Sequence, residues 1–179
     1  RWCNFKITRT NSHGDLWFND FKLVNVQPAF RVSPSAAQAV AKDTEEVLVF
    51  ATETTDRGSG FTTSGSLSYY TVPEDGLYEF NSTISCVPPS SAPSSQILRL
   101  YKNLSSTTTG SISGGTLLAV SVINQRANIS SVLYYQTSLM TGPIELEKGD
   151  VLFLTLEPEE NIDTKNATAF SYWAGSRID

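Results

Sequence analysis

Histidine, cysteine and charge are all scarce in this chain, and each shortage removes a class of function. A single histidine, His13, in 179 residues excludes any centre built from several imidazoles. Two cysteines, Cys3 and Cys86, are too few for a CxxC zinc pair or a disulfide framework. Charged residues make up only 17%, and the net charge is −5. With no Lys/Arg cluster to release counterions from phosphates, a nucleic-acid groove is excluded as a partner surface. No apolar run approaches the roughly 18 residues needed to cross a bilayer as a helix, so membrane insertion is not expected. The chain begins at Arg1 with neither Met nor a signal-peptide pattern, and is expected to be a piece of a longer protein.

What stands in place of charge is hydroxyl: Ser and Thr together number 42. That exchange favours strands and turns over surface helices, because β-branched Thr suits a pleated surface. Helical periodicity is nearly absent. The best stretch, Ser35 to Lys42 (SAAQAVAK), follows Pro34 and reads equally as a short helix or a loop. Elsewhere short apolar alternation is punctuated by Gly, Pro, Ser and Asp. Strands are expected near 2–9, 16–26, 29–32, 47–51, 66–71, 76–86, 96–102, 116–123, 130–140, 151–156 and 167–174. Many strands of this length with turn chemistry between them give an all-β sandwich or barrel. Thr52–Ser64 has no period and reads as a loop, as does Val87–Ser95 with its three prolines. Ser105–Gly115 reads as an exposed hairpin tip. Composition shifts near Gln27–Pro28, dividing residues 1–27, a terminal hairpin of a preceding β module or a linker to it, from a head at 28–179.

Turn and face arguments sharpen two regions. In PEDG (73–76) Pro fixes φ and Gly opens the turn. The strand that follows places Tyr78, Phe80, Ser82 and Ile84 on one face and Leu77, Glu79, Asn81 and Thr83 on the other. Lys148–Gly149–Asp150 is a second tight turn. It releases a strand apolar on both faces, expected where one face meets the core and the other a neighbouring layer or subunit.

From Pro28 onward the order of PAFRVS (28–33), YYTVPEDGLYEF (69–80), LRLYKN (98–103), LEKGDVLFLTL (146–156) and AFSYWAG (169–175) resembles the globular head of the C1q family, within the C1q/tumour-necrosis-factor superfamily. The resemblance implies a ten-stranded jelly roll assembling as a homotrimer. It also departs from the family: ETTDRGSGFTTSG replaces the usual segment before the VP..G.Y.F strand, and no collagen repeat precedes the head. Residues 1–27 (FKITRTNSHGDLWFNDFKLV above all) resemble the closing hairpin of a carbohydrate-binding jelly-roll module. A module of that kind followed by such a head resembles the tail fibres and adhesins of bacteriophages.

The expected activity is therefore recognition without catalysis. His13 sits in a turn beside Ser12 and Asp15, and neighbours at a turn do not make a triad. Glu45 and Glu46 alternate sides of a strand and would not converge for acid/base work. No cofactor is expected, with calcium the one candidate, at the acidic loop holding Glu159, Glu160 and Asp163. Adjacent aromatic pairs must point to opposite strand faces. Tyr78, Tyr135, Tyr172 and Trp173 are the aromatics expected at a trimer interface. Ligand contacts are expected in the loops, at Asp56, Arg57, Ser90, Ser91 and Thr108. The sequons at Asn81, Asn103, Asn128 and Asn166 are acceptors only if the chain is secreted by a glycosylating cell. The cysteines read as buried thiols, with a Cys3–Cys86 bridge as the alternative. The leading expectation is a homotrimeric head of a virion tail fibre or other extracellular fibre, whose partner is a cell-surface glycan or protein receptor. The alternatives are a capping domain that only trimerises, and a secreted eukaryotic C1q-like ligand.

Overall fold

The computed structural model describes residues 27–87, 94–125, 135–164 and 171–179. Trp2, His13, Trp17, Cys3, Ser90, Ser91, Tyr134, Asn128 and Asn166 fall outside them, as do the strands expected at 2–9 and 16–26.

The described residues contain no helix and fourteen strands. The first seven are β1 (Ala29–Ser33), β2 (Ala39–Val40), β3 (Glu46–Val47), β4 (Thr52–Arg57), β5 (Phe61–Ser64), β6 (Leu67–Thr71) and β7 (Gly76–Val87). The others are β8 (Ser94–Lys102), β9 (Thr116–Gln125), β10 (Tyr135–Met140), β11 (Ile144–Leu146), β12 (Val151–Pro158), β13 (Ile162–Thr164) and β14 (Tyr172–Arg177). One sheet runs β2-β13-β7-β14-β1-β4, with β10 and β11 along the other edge of β7; the second runs β5-β6-β12-β8-β9, with β3 on β12. All pairings are antiparallel. With β10 and β11 taken as one path, and the short pieces β2, β3 and β13 set aside, ten paths form the jelly roll that the sequence resemblance implies. Ser35–Lys42 settles as loop around the two residues of β2.

Thr52–Ser64, expected as a loop, instead carries β4 and β5. Among the described residues β4 pairs with β1 alone, and with neither face buried its Thr-rich TETTDR shows none of the alternation by which strands are recognised. Ser105–Gly115 is also less free than a hairpin tip. A Ser106–Ser113 bridge closes it, and the Gly110 amide donates to Glu45 O at 3.1 Å, drawing the loop back onto the body.

The core lies between the sheets. In β7 the face expected from alternation, Tyr78, Phe80, Ser82 and Ile84, is the buried one, and in β12 Leu152, Leu154 and Leu156 are fully buried. At its centre Trp173 stands edge-on to Phe30 with centroids 5.0 Å apart, while Tyr70 stacks on Phe30 at 4.3 Å. This knot is why Gly175 must be glycine: a Cβ there would lie 2.6 Å from Phe80 Cε1 and 2.8 Å from Phe30 Cε1. The second face of β12 is covered inside the protomer. Phe153 meets the Tyr69 ring at 5.8 Å, and the buried Thr155 hydroxyl donates to Glu45 Oε1.

The Lys148–Asp150 turn forms as expected, with Gly149 at φ +94°. Asp150 makes it a junction. Its carboxylate accepts from the Glu147 amide at 3.0 Å, Lys102 Nζ at 3.1 Å and Asn103 Nδ2 at 2.9 Å. Burial alone would raise its pKa, but these donors outweigh it and hold the carboxyl below its ordinary value. A carboxylate depressed in the folded state contributes stability above its unfolded pKa, near 4, and loses it as pH falls through the lower folded value. We therefore expect Asp150→Asn to cost about 1.5–3 kcal/mol at neutral pH, since the bonds it weakens are charge-assisted. Its acid-unfolding curve should be shallower than the parent's, and urea titrations at several pH values check both effects.

Candidate functional site

The strands leave two features on the surface, an apolar edge and a polar cavity. The edge follows from register. Among the described residues β9 ends its sheet, and its pairing with β8 turns Ala119 and Ser121 toward Leu100 and Leu98 while Val120 and Val122 face out beside Arg99 and Ile97. Val120 is 53% exposed and Val122 54%, and Leu117 on the same strand 48%. On the other sheet β10 lies along the same side of the sandwich, and its Met140, opposite Asn81, is 80% exposed. A long edge strand with bare aliphatics invites another chain. The body behind it is stiff. Buried Thr137 on β10 donates to buried Gln96 on β8 at 2.8 Å, joining the two sheets. Arg99 is held between Glu157 at 2.6 Å and Glu45 at 3.1 Å.

The cavity, of about 490 Å³, opens among Gln38, Glu46, Val47 and Val49, the Ser66–Leu67 turn and Thr107–Thr109. The Gln38 amide organises one wall: Nε2 donates to Val47 O at 3.0 Å and to Glu46 Oε2 at 3.3 Å, and Oε1 accepts from Val49 N at 3.1 Å. The other wall is the loop anchored through Gly110 to Glu45.

The expected site residues scatter. Thr108 lines the cavity, but Asp56 and Arg57 do not. Asp56 instead caps a turn, accepting from the amides of Gly60 and Phe61 at 3.2 Å each, and Arg57 is exposed at the end of β4. Of the aromatics expected at an interface, Tyr78 and Trp173 are corrected: both are sealed in the protomer's own core at 0% and 1% exposure, and no partner can reach them. Tyr172 does point outward, half-buried under the Arg31 guanidinium at 4.1 Å. Tyr135 enters β10 opposite Cys86. Among the described residues the acidic loop brings no set of calcium ligands together. Glu159 accepts from the Ser95 amide, Glu160 pairs with Lys42 at 3.3 Å, and no group of three acidic, His or Cys side chains converges among the described residues. Of the two sequons described, Asn81 is exposed on β7, whereas the Asn103 amide is engaged by Asp150 and the Val151 amide.

Cys86 is free and buried, as the buried-thiol reading expects, and burial pushes its thiol pKa up to about 12; the alternative Cys3–Cys86 bridge involves a residue outside the described ones. A thiol so far from ionising is a poor nucleophile. Iodoacetamide at pH 8 should leave Cys86 unmodified in the native chain and alkylate it only in denaturant, as peptide mass mapping would report.

Among the described residues no helix is long and apolar enough to cross a membrane. No family model matches the chain, and no curated protein matches it in sequence. Its two-sheet topology defines it as a jelly roll of the tumour-necrosis-factor type. Murine APRIL at pH 8.0 superimposes with a TM-score of 0.58 at 14% identity, over 85% of this chain and 99% of that one. Eiger TNF from S. frugiperda gives 0.57 at 14%, over 87% and 94%. The likeness is one of fold.

Proposed function

We propose that the chain is a homotrimeric, non-enzymatic recognition head carried at the end of an extracellular or virion fibre, where it binds a cell-surface glycan or protein. The observation that carries this reading is the bare apolar edge of β9 and β10. Val120 and Val122 face out from one sheet and Met140 from the other, so the two sets lie on opposite faces along one side of the sandwich. A heterologous contact sets the edge of one copy against a different surface of the next, and closes into a ring where the rotation between copies closes. The C1q-like sequence order supports three as the number of copies. The half-buried Tyr172 and Ala174, on the outward face of β14, offer a receiving surface.

A ring of three presents three identical sites, and that multiplicity raises weak single-site affinity by orders of magnitude. The likeness of residues 1–27 to the end of a carbohydrate-binding module supports a fibre context of the phage-adhesin kind. The test is binding of the fluorescently labelled 179-residue chain to a glycan array and to candidate host cells. Saturable binding supports recognition. No binding to either surface, combined with failure of fibres lacking residues 28–179 to trimerise, would make the head a capping domain instead.

A further inference from the structure

The cavity beside Thr108 has the chemistry of a particular ligand class. Among the described residues its only charged lining group is the Glu46 carboxylate, which disfavours phosphate, sulfate or a sialic acid carboxylate. Among the described residues it has no aromatic lining on which a nucleobase or other flat ring could stack. What it offers is hydroxyl-bearing residues, Ser66 and Thr107 to Thr109, beside the half-buried aliphatic residues Val49 and Leu67. Each hydroxyl both donates and accepts. One oxygen of Glu46, Oε2, is already held by Gln38, while Oε1 has no partner among the described residues and is available as a strong acceptor. Both walls are fixed before any ligand arrives, one by the three Gln38 bonds and the other by the Gly110–Glu45 tether. The volume falls inside the roughly 300–1,000 Å³ typical of small-molecule sites.

We propose that this cavity is a carbohydrate subsite taking the terminal residue of a neutral glycan. The Thr107–Thr109 hydroxyls and Glu46 Oε1 bond its hydroxyls, and its C–H face rests on Val49 and Leu67. The inference rests on the recognition-head reading and names the ligand class for it. The tether explains why the Ser105–Gly115 loop folds back onto the body: it brings three consecutive hydroxyls to the Glu46 side.

The experiment titrates the 179-residue chain with neutral hexoses and neutral oligosaccharides, and with a sialylated oligosaccharide and an alkylammonium salt as controls. Binding is followed by saturation-transfer NMR, with mass and thermal midpoint recorded for each variant. Ser66→Trp fills the mouth, Glu46→Gln keeps the shape while removing the charge, and Thr108→Val with Thr109→Val removes two hydroxyls. A neutral sugar should bind the parent. Ser66→Trp should weaken it at least tenfold and the other two variants severalfold or more, with mass and thermal midpoint unchanged. Equal sugar binding by parent and Ser66→Trp overturns the subsite but leaves the recognition head standing, since the glycan then sits elsewhere. Tighter binding of the sialylated or alkylammonium probe in the same cavity also overturns it. So does absence of any sugar signal from a chain that still binds host cells, which would point to a protein receptor. Absence of both sugar and cell binding counts against the head reading itself.

Discussion

Trp173→Ala should destabilise the fold by about 3–5 kcal/mol, the cost typical of emptying a large buried aromatic site. Trp173 is 1% exposed and contacts Phe30 at 5.0 Å, Phe50 at 5.8 Å and Phe61 at 6.0 Å between ring centroids. Phe30 comes from one sheet, Phe61 from the other and Phe50 from the segment between β3 and β4, so removing the indole opens a void where the sheets meet. Collapse around it is limited, because Phe30 is already stacked on Tyr70 at 4.3 Å. For a chain of this length the loss corresponds to about 6–20 °C in thermal midpoint. Tyr172→Ala next door should cost far less, since Tyr172 lies on the outward face over Arg31. Thermal unfolding of the two variants side by side checks the assignment. Equal losses would mean that the faces of β14 are reversed.

The second large effect is on assembly. Val120→Asp combined with Val122→Asp should leave the protomer's own stability within about 0.5 kcal/mol, because both side chains are solvated in the single chain. In the proposed ring the same positions are covered by a neighbour, and each buried, unpaired carboxylate costs several kcal/mol. Every 1.4 kcal/mol is tenfold in the dissociation constant, so dissociation should strengthen by more than about 100-fold. Sedimentation across a dilution series would show the variant as single chains where the parent is associated. A variant that remains as associated as the parent would remove the β9 edge from the interface.

Much of the fold was legible because alternation and turns agree locally. GLYEFNSTI reads as one strand with a defined face, and EKGDV as a turn followed by a strand, and both formed. What alternation leaves open is which face is inward. The Tyr172–Trp173 pair must split, yet nothing local says which ring goes in. The answer comes from register across β1, where Val32 pairs with Trp173 and Arg31 with Ala174. Tyr78 was misplaced for the same reason: its face was right, but whether that face met the core or a subunit depended on the other sheet. Polar edge strands such as β4 were invisible because an edge needs no apolar stripe. The cavity was least legible of all. Its walls come from residues near 38–49, 66–67 and 107–109, and only the folded chain brings Thr108 close to Glu46. A row of three threonines in a Ser/Thr-rich chain carries no signal by itself.

Association in threes is the property on which avidity, interface and fibre context all depend, and light scattering coupled to size exclusion measures it directly. The 179-residue chain should have a mass three times 19.6 kDa, stable on dilution into the micromolar range. A particle of 19.6 kDa that stays single at high concentration would contradict it, and would leave the exposed valines of β9 without a neighbour to cover them.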